Sequence, residues 1–106
     1  MDVPPWGYRV ARRRGVSTIL LSGELDLASA ETVQALLLEQ LEADGVAEVL
    51  VDLADVGFLD STTLGVLIKA LNFAEELGRG FRVVNPSPPA QRILALTGLD
   101  VTLTQA

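Results

Sequence analysis

The sequence contains neither cysteine nor histidine. Without cysteine the chain has no disulfide framework, no thiolate zinc site and no cysteine nucleophile. Without histidine it lacks the commonest general base and metal ligand, and a Ser-His-Asp triad is excluded. The only lysine, Lys69, stands about two helical turns beyond Ser61 and is too distant to activate that hydroxyl. We therefore expect a protein that is not an enzyme and that requires no metal or cofactor.

Basic residues are also scarce, since eight lysines and arginines stand against fourteen acidic residues, a net charge of −6. A protein that binds the phosphate backbone of nucleic acid needs a basic face. The one basic run, Arg12 to Arg14, has the length of a solvated hairpin turn. We expect no nucleic-acid partner and instead an acidic surface that favours docking to a basic region of another protein.

Long apolar segments are absent as well. No apolar run approaches the roughly 18 residues that span a bilayer. Residues 1–8 lack both the positive charge and the apolar stretch of a signal peptide. These features, together with the absence of cysteine, predict a cytoplasmic protein without membrane insertion.

The chain of 106 residues, 49% of them hydrophobic, has the size of one globular domain covering residues 1–106. Strand patterns at residues 6–13 and 16–21 flank a turn at Arg14-Gly15, which predicts an antiparallel hairpin. Beyond the hairpin, segments of helical and strand periodicity alternate. They predict helices at residues 29–43 and 61–77 and after the turn at 85–89, strands at 47–53, 81–84 and 101–104, and a loop at 54–60.

The predicted order is thus β-β-α-β-α-β-α-β. Strands separated by helices run parallel, whereas the opening hairpin is antiparallel. The fold class is therefore α/β, with a mixed, mostly parallel β-sheet covered by helices. Ser29 is the predicted N-cap of the first helix, and Gly78 and Gly98 are predicted to end the second and third.

Residues 57–65 place three hydroxyls, Ser61, Thr62 and Thr63, at a loop-to-helix junction directly after Asp60. Such residues are the preferred helix caps, so the pattern by itself is explained by a helix start. It equally suits a modification site, because a phosphate there would meet unpaired N–H groups and the positive end of the helix dipole. A phosphate would also add about 1.5–2 negative charges to the surface without unfolding it.

The helix at 61–77 has an apolar stripe and a second stripe that is partly apolar. Leu64, Leu67, Leu71 and Ala74 form its predicted inward face. A second stripe contains Thr62, Val66, Lys69 and Phe73. The apolar members of this second stripe either pack under a neighbouring helix or form part of a protein-docking patch.

Four segments form a recognisable set in this order along the chain: residues 22–26 (Ser-Gly-Glu-Leu-Asp), 51–53 (Val-Asp-Leu) with 58–61 (Phe-Leu-Asp-Ser), 85–89 (Asn-Pro-Ser-Pro-Pro), and 92–94 with 96–99 (Arg-Ile-Leu and Leu-Thr-Gly-Leu). Together they resemble the STAS domain family, specifically the bacterial anti-sigma factor antagonists. The resemblance covers about residues 8–104.

The resemblance implies a switch. In that family the unphosphorylated protein binds an anti-sigma factor that is itself a serine kinase, and binding frees a sigma factor. The kinase phosphorylates the serine after the loop aspartate, and a phosphatase reverses this. Here that serine is Ser61, Asp60 matches the loop aspartate, and Asp26 matches an aspartate near the phosphorylation site.

The predicted partner-binding surface contains Asp26, Asp60 and Ser61, with Thr62, Thr63, Val66 and Lys69 from the same helix. Thr63 departs from the family, which has glycine there, and it is expected to put bulk where a partner's backbone approaches. The departure leaves a second reading open, an accessory STAS subunit of a stress-signalling assembly or of a membrane transporter. For either role we expect a monomer.

Overall fold

A computed structural model describes residues 5–104 of the chain. The chain begins with the predicted hairpin, β1 (Trp6–Arg13) and β2 (Val16–Leu25), paired antiparallel with Arg13 opposite Val16. Arg14 and Gly15 between them have φ of 51° and 80°, the left-handed pair that matches the twist of a two-residue hairpin. The hairpin prediction is confirmed.

Three helices and two strands follow in alternation, and a fourth, short helix ends the described chain. They are α1 (Leu27–Glu42), β3 (Glu48–Leu59), α2 (Ser61–Leu77), β4 (Gly80–Val84), α3 (Pro88–Thr97) and α4 (Asp100–Thr104). The sheet order is β1-β2-β3-β4, and both β2–β3 and β3–β4 are parallel. The predicted fold class is confirmed: a single α/β domain with a mixed, mostly parallel sheet.

One face of the sheet forms the hydrophobic core with the helices. Alternate strand residues are buried there, and the inward stripes of α1 and α2 cover them. The inward face predicted for α2 is confirmed, because its four members are at most 7% exposed. Fully buried side chains of this core include Ile19, Leu21, Val33, Leu37, Val51, Leu53, Leu67, Phe81 and Leu94.

The last predicted strand, at residues 101–104, is wrong, because this segment is the short helix α4. Its β-branched residues favour extended structure locally, but only Leu103 is buried. A helical turn directs Leu103 into the core, and its N–H donates to the carbonyl oxygen of Leu99 at 2.9 Å. The described chain therefore ends in the order β-α-α, and β4 remains an edge of the sheet.

Two element boundaries also differ from the predictions. The predicted loop at residues 54–60 is mostly strand, because β3 stays paired with β2 as far as Leu59 opposite Leu25. Helix α1 begins at Leu27 with Asp26 as its N-cap, two residues before the predicted start. Ser29 instead completes a capping box, since its hydroxyl accepts the N–H of Asp26 at 3.1 Å.

Within residues 5–104, no helix has the combination of length and apolar character needed to cross a bilayer.

Candidate functional site

Two strands end, and two helices begin, at the same edge of the sheet. Leu25 ends β2 opposite Leu59, the last residue of β3, and the N–H of Asp60 donates to the carbonyl oxygen of Leu25 at 3.2 Å. Asp26 and Asp60 therefore follow neighbouring parallel strands, and each is the N-cap of the helix that comes next. The positive ends of α1 and α2 lie side by side at this edge.

Asp60 and Thr63 form the cap of α2. One carboxylate oxygen of Asp60, Oδ1, accepts the N–H of Thr63 at 3.0 Å and the Thr63 hydroxyl at 3.1 Å. The Thr63 side chain is 0% exposed, so it lies beneath the cap and away from solvent. The prediction that Thr63 presents bulk to a partner is wrong, because the third residue of a helix points back towards its N-cap and here into the core.

Ser61 is the first residue of α2 and is exposed. Its hydroxyl forms no hydrogen bond with any of the described residues. Helical geometry leaves the N–H groups of Ser61 and Thr62 without an intrahelical acceptor, and Oδ1 of the Asp60 cap accepts from Thr63 instead. The structure therefore places an open hydroxyl beside two unpaired N–H donors, where the sequence pattern put it.

A groove of about 330 Å³ runs between α1 and α2 from this edge. Thr62 and Lys69 are exposed on its α2 side, while Val66 is only 6% exposed. Val66 thus packs under α1, the first of the two possibilities that the sequence left open, and contributes at most the floor of the groove. The lining residues are Ala30, Glu31, Gln34, Thr62, Gly65, Val66 and Lys69.

Farther along the same helix pair, a second depression of about 300 Å³ lies beside Phe73. Phe73 is half-buried, packs against the core, and lines this depression together with Leu38 of α1. The sequence reasoning missed the α1 side of the first groove, Ala30, Glu31 and Gln34. Their spacing marks one helix face, but nothing local indicates that this face meets α2.

The surface around Ser61 is acidic. Asp26 and Asp60 flank the two helix starts, and the cation that lines the groove, Lys69, stands two turns along α2. Among residues 5–104, no three acidic side chains come close enough together to hold a metal ion. In this arrangement the two aspartates cap helices, and the chemistry open to the site is modification of a hydroxyl and contact with another protein.

Comparison with known proteins gives consistent matches. A model of the STAS domain matches residues 8–104. The chain is 30% identical over 86 residues to an anti-sigma F factor antagonist of Paenibacillus polymyxa, covering 81% of this chain and 74% of that protein. It is 33% identical over 95 residues to the anti-sigma-F factor antagonist RsfB of Mycobacterium tuberculosis, covering 88% of this chain and 75% of that protein.

A solved structure is also similar. An anti-sigma factor antagonist from Mycobacterium paratuberculosis superposes with a TM-score of 0.83 at 31% identity, over 97% of this chain and 87% of that chain. These relatives are named as antagonists, which are regulatory binding proteins and not enzymes.

Proposed function

Because the chain belongs to the STAS domain family, we propose that it is an anti-sigma factor antagonist whose binding is switched off by phosphorylation of Ser61. The observation that carries the proposal is the exposed, unpaired hydroxyl of Ser61 at the N-terminus of α2. Two relatives at 30% identity or more are named as antagonists of anti-sigma factors, and this supports the role. We place the protein in the cytoplasm, where such partners act.

The acceptor chemistry follows from the geometry. A partner serine kinase transfers the terminal phosphoryl group of ATP, so that a bond forms from Ser61 Oγ to phosphorus, the bond to the ADP oxygen breaks, and a base on the kinase takes the hydroxyl proton. The product phosphate lies at the positive end of α2, beside the unpaired N–H groups of Ser61 and Thr62. A separate phosphatase restores the hydroxyl by hydrolysis.

The proposed contact surface surrounds this hydroxyl. It contains Asp26, Asp60, Ser61, Thr62 and Lys69, with Val66 as the buried floor beneath them. A phosphate adds about 1.5–2 negative charges and the bulk of a phosphoryl group at the centre of this surface, so a partner face that packs closely against Ser61 has to bury a charged group for which the unmodified contact has no counter-ion. The domain itself stays folded, because Ser61 makes no side-chain hydrogen bond that the modification would break.

The acceptor assignment is tested by incubating the protein with an anti-sigma factor kinase from the same organism and ATP, followed by mass spectrometry. We expect one phosphate on Ser61 in the wild type and none on Ser61→Ala. Thr62→Ala is the matched control, because Thr62 is the neighbouring exposed hydroxyl, and it should still be modified. Phosphorylation of Ser61→Ala at the wild-type rate would show that the assignment is wrong.

The switch is tested with Ser61→Asp, which places a carboxylate where the phosphate would be. Titration calorimetry against the same anti-sigma factor should show at least about tenfold weaker binding, since the interface then has to bury a carboxylate without a counter-ion. Circular dichroism should match the wild type. Loss of the folded signal in this variant would mean that Ser61 is mainly structural, and unchanged affinity would contradict the switch.

A further inference from the structure

Within residues 5–104, the sheet has a second face that the helices leave uncovered. In β2 and β3 the side chains that alternate with the buried core residues are half-buried, among them Leu20, Leu50 and Asp52. Parallel strands are ordinarily covered on both faces, so an open face on a mostly parallel sheet is unusual. The apolar residues on this open face, Val16, Leu20, Leu50 and Val84, are not part of the core cluster.

Strand pairing arranges this open face in three rows. Across β1, β2 and β3 the rows read Arg9-Leu20-Asp52, Ala11-Thr18-Leu50 and Arg13-Val16-Glu48. Paired residues share a face, so each row lies on the same side of the sheet. In the two outer rows β2 therefore carries an apolar residue, with an arginine on one side of it and a carboxylate on the other.

This pattern is complementary to itself under a twofold rotation about an axis along β2. Such a rotation stacks β2 on β2 and sets β1 of each copy over β3 of the other. Arg9 then faces Asp52, Arg13 faces Glu48, and Leu20 faces Leu20 of the second copy. We propose that the open face binds a second copy of this chain, forming a homodimer of face-to-face sheets at the usual spacing of about 10 Å.

The two carboxylates are already held in place for these contacts. Asp52 accepts the N–H of Ala54 at 2.9 Å and the Asn85 amide at 3.0 Å, so its orientation is fixed. Glu48 lies 3.5 Å from Arg82 in a half-exposed ion pair. In the dimer, Glu48 therefore stands between two arginines, one from each copy.

The size of the patch sets the strength of the dimer. Its rows span three strands at about 4.8 Å spacing and five residues at about 3.3 Å each. The area that this patch can bury is therefore far below the ~800 Å² per partner of a standard stable interface. The dimer is therefore transient, forms at high protein concentration, and weakens with salt. It leaves the Ser61 edge and the α1–α2 groove free, because α1 and α2 cover the opposite face. The proposal thus departs from the expected monomer without depending on the phosphorylation switch.

Sedimentation velocity at low salt over a wide concentration range tests the proposal directly. The wild type should shift from monomer to dimer as concentration rises, and should return to monomer when salt is added. Charge reversal in Arg9→Glu/Arg13→Glu should weaken the dimer at least about tenfold, because the two introduced glutamates of each copy then face Asp52 and Glu48 of the other. The control Arg92→Glu makes the same kind of charge change on an exposed helix residue and should behave as wild type.

Mixing variants tests the register of the interface. Glu48→Lys/Asp52→Lys makes the face wholly basic and should not dimerise alone, but mixed with Arg9→Glu/Arg13→Glu it should form a heterodimer. Leu20→Glu gives an independent check if the basic variant does not fold. It places one carboxylate from each copy at the twofold axis, so it should prevent dimerisation. The control Leu96→Glu, at a residue 77% exposed, should leave dimerisation unchanged. A wild type that stays monomeric at high concentration and low salt, or Leu20→Glu dimerising like wild type, would overturn the proposal.

Discussion

At the scale of single residues, position 23 has a backbone conformation and a close contact that only glycine allows. Its φ is 84°, and a Cβ built there would lie 2.2 Å from the carbonyl oxygen of Pro5. That same oxygen accepts the N–H of Glu24 at 2.8 Å. The glycine of the segment at residues 22–26 thus lets the start of β1 pass against the end of β2, just before Asp26.

Gly23→Ala is accordingly expected to lose about 1–3 kcal/mol of unfolding free energy from backbone strain alone. Urea denaturation measures the loss. Gly57→Ala is the matched control, because Gly57 has no atoms within 4 Å of its added Cβ and no positive φ. Equal stability of the two variants would show that the close approach is relieved by a small shift of the chain.

Leu64 is a residue whose role is packing. It is 3% exposed on the inward face of α2, one turn after Ser61. Leu64→Ala should cost about 2–5 kcal/mol, since it removes buried contacts and leaves a cavity. Leu96→Ala, at a residue 77% exposed, should stay within about 0.5 kcal/mol of wild type in the same denaturation experiment. Full stability of Leu64→Ala would refute the inward-face assignment.

At the scale of the elements, the start of α2 depends on the Asp60 cap. Asp60→Ala removes the cap, which should lower the free energy of unfolding by about 1 kcal/mol. It also leaves the buried Thr63 hydroxyl without a partner, which should lower it by roughly 1–3 kcal/mol more. Thermal denaturation should therefore show a larger loss than for Asp26→Ala. Ser29 at the α1 cap keeps a partner without the Asp26 side chain, because its hydroxyl also donates to the Asp26 carbonyl oxygen.

The double variant Asp60→Ala/Thr63→Val separates these two contributions. Valine replaces the unpaired hydroxyl with a methyl group of similar size, so part of the lost stability should return. If the double variant is less stable than Asp60→Ala, the buried hydroxyl is not the source of the additional cost. The result bears on function as well, because the cap holds Ser61 at the surface.

At the scale of the whole molecule, the sheet separates two surfaces. The helices and the proposed switch occupy one face and one edge, and the three rows of the proposed dimer occupy the other face. Arg9→Glu/Arg13→Glu should therefore be phosphorylated on Ser61 at the wild-type rate while it fails to dimerise. Coupled loss of both properties would show that the two surfaces are linked.

Elements whose signals are local could be predicted from the amino-acid sequence. The hairpin follows from strand patterns around Arg14-Gly15, and the bounds of α2 follow from Asp60 at one end and Gly78 at the other. The position of Ser61 at a helix start is local in the same sense, since a cap involves residues only three apart. Such features are set by near neighbours, which the sequence displays directly.

Features that depend on distant parts of the chain could be seen only in the folded molecule. Pairing with β2 extends β3 to Leu59, core burial of Leu103 makes α4 a helix, and packing against α1 buries Val66. The burial of Thr63 under its cap and the open face of the sheet belong to the same class. In each case burial against residues remote in sequence outweighs a local preference, because propensities are worth a few tenths of a kcal/mol while burying a large side chain is worth about 1.5–3 kcal/mol.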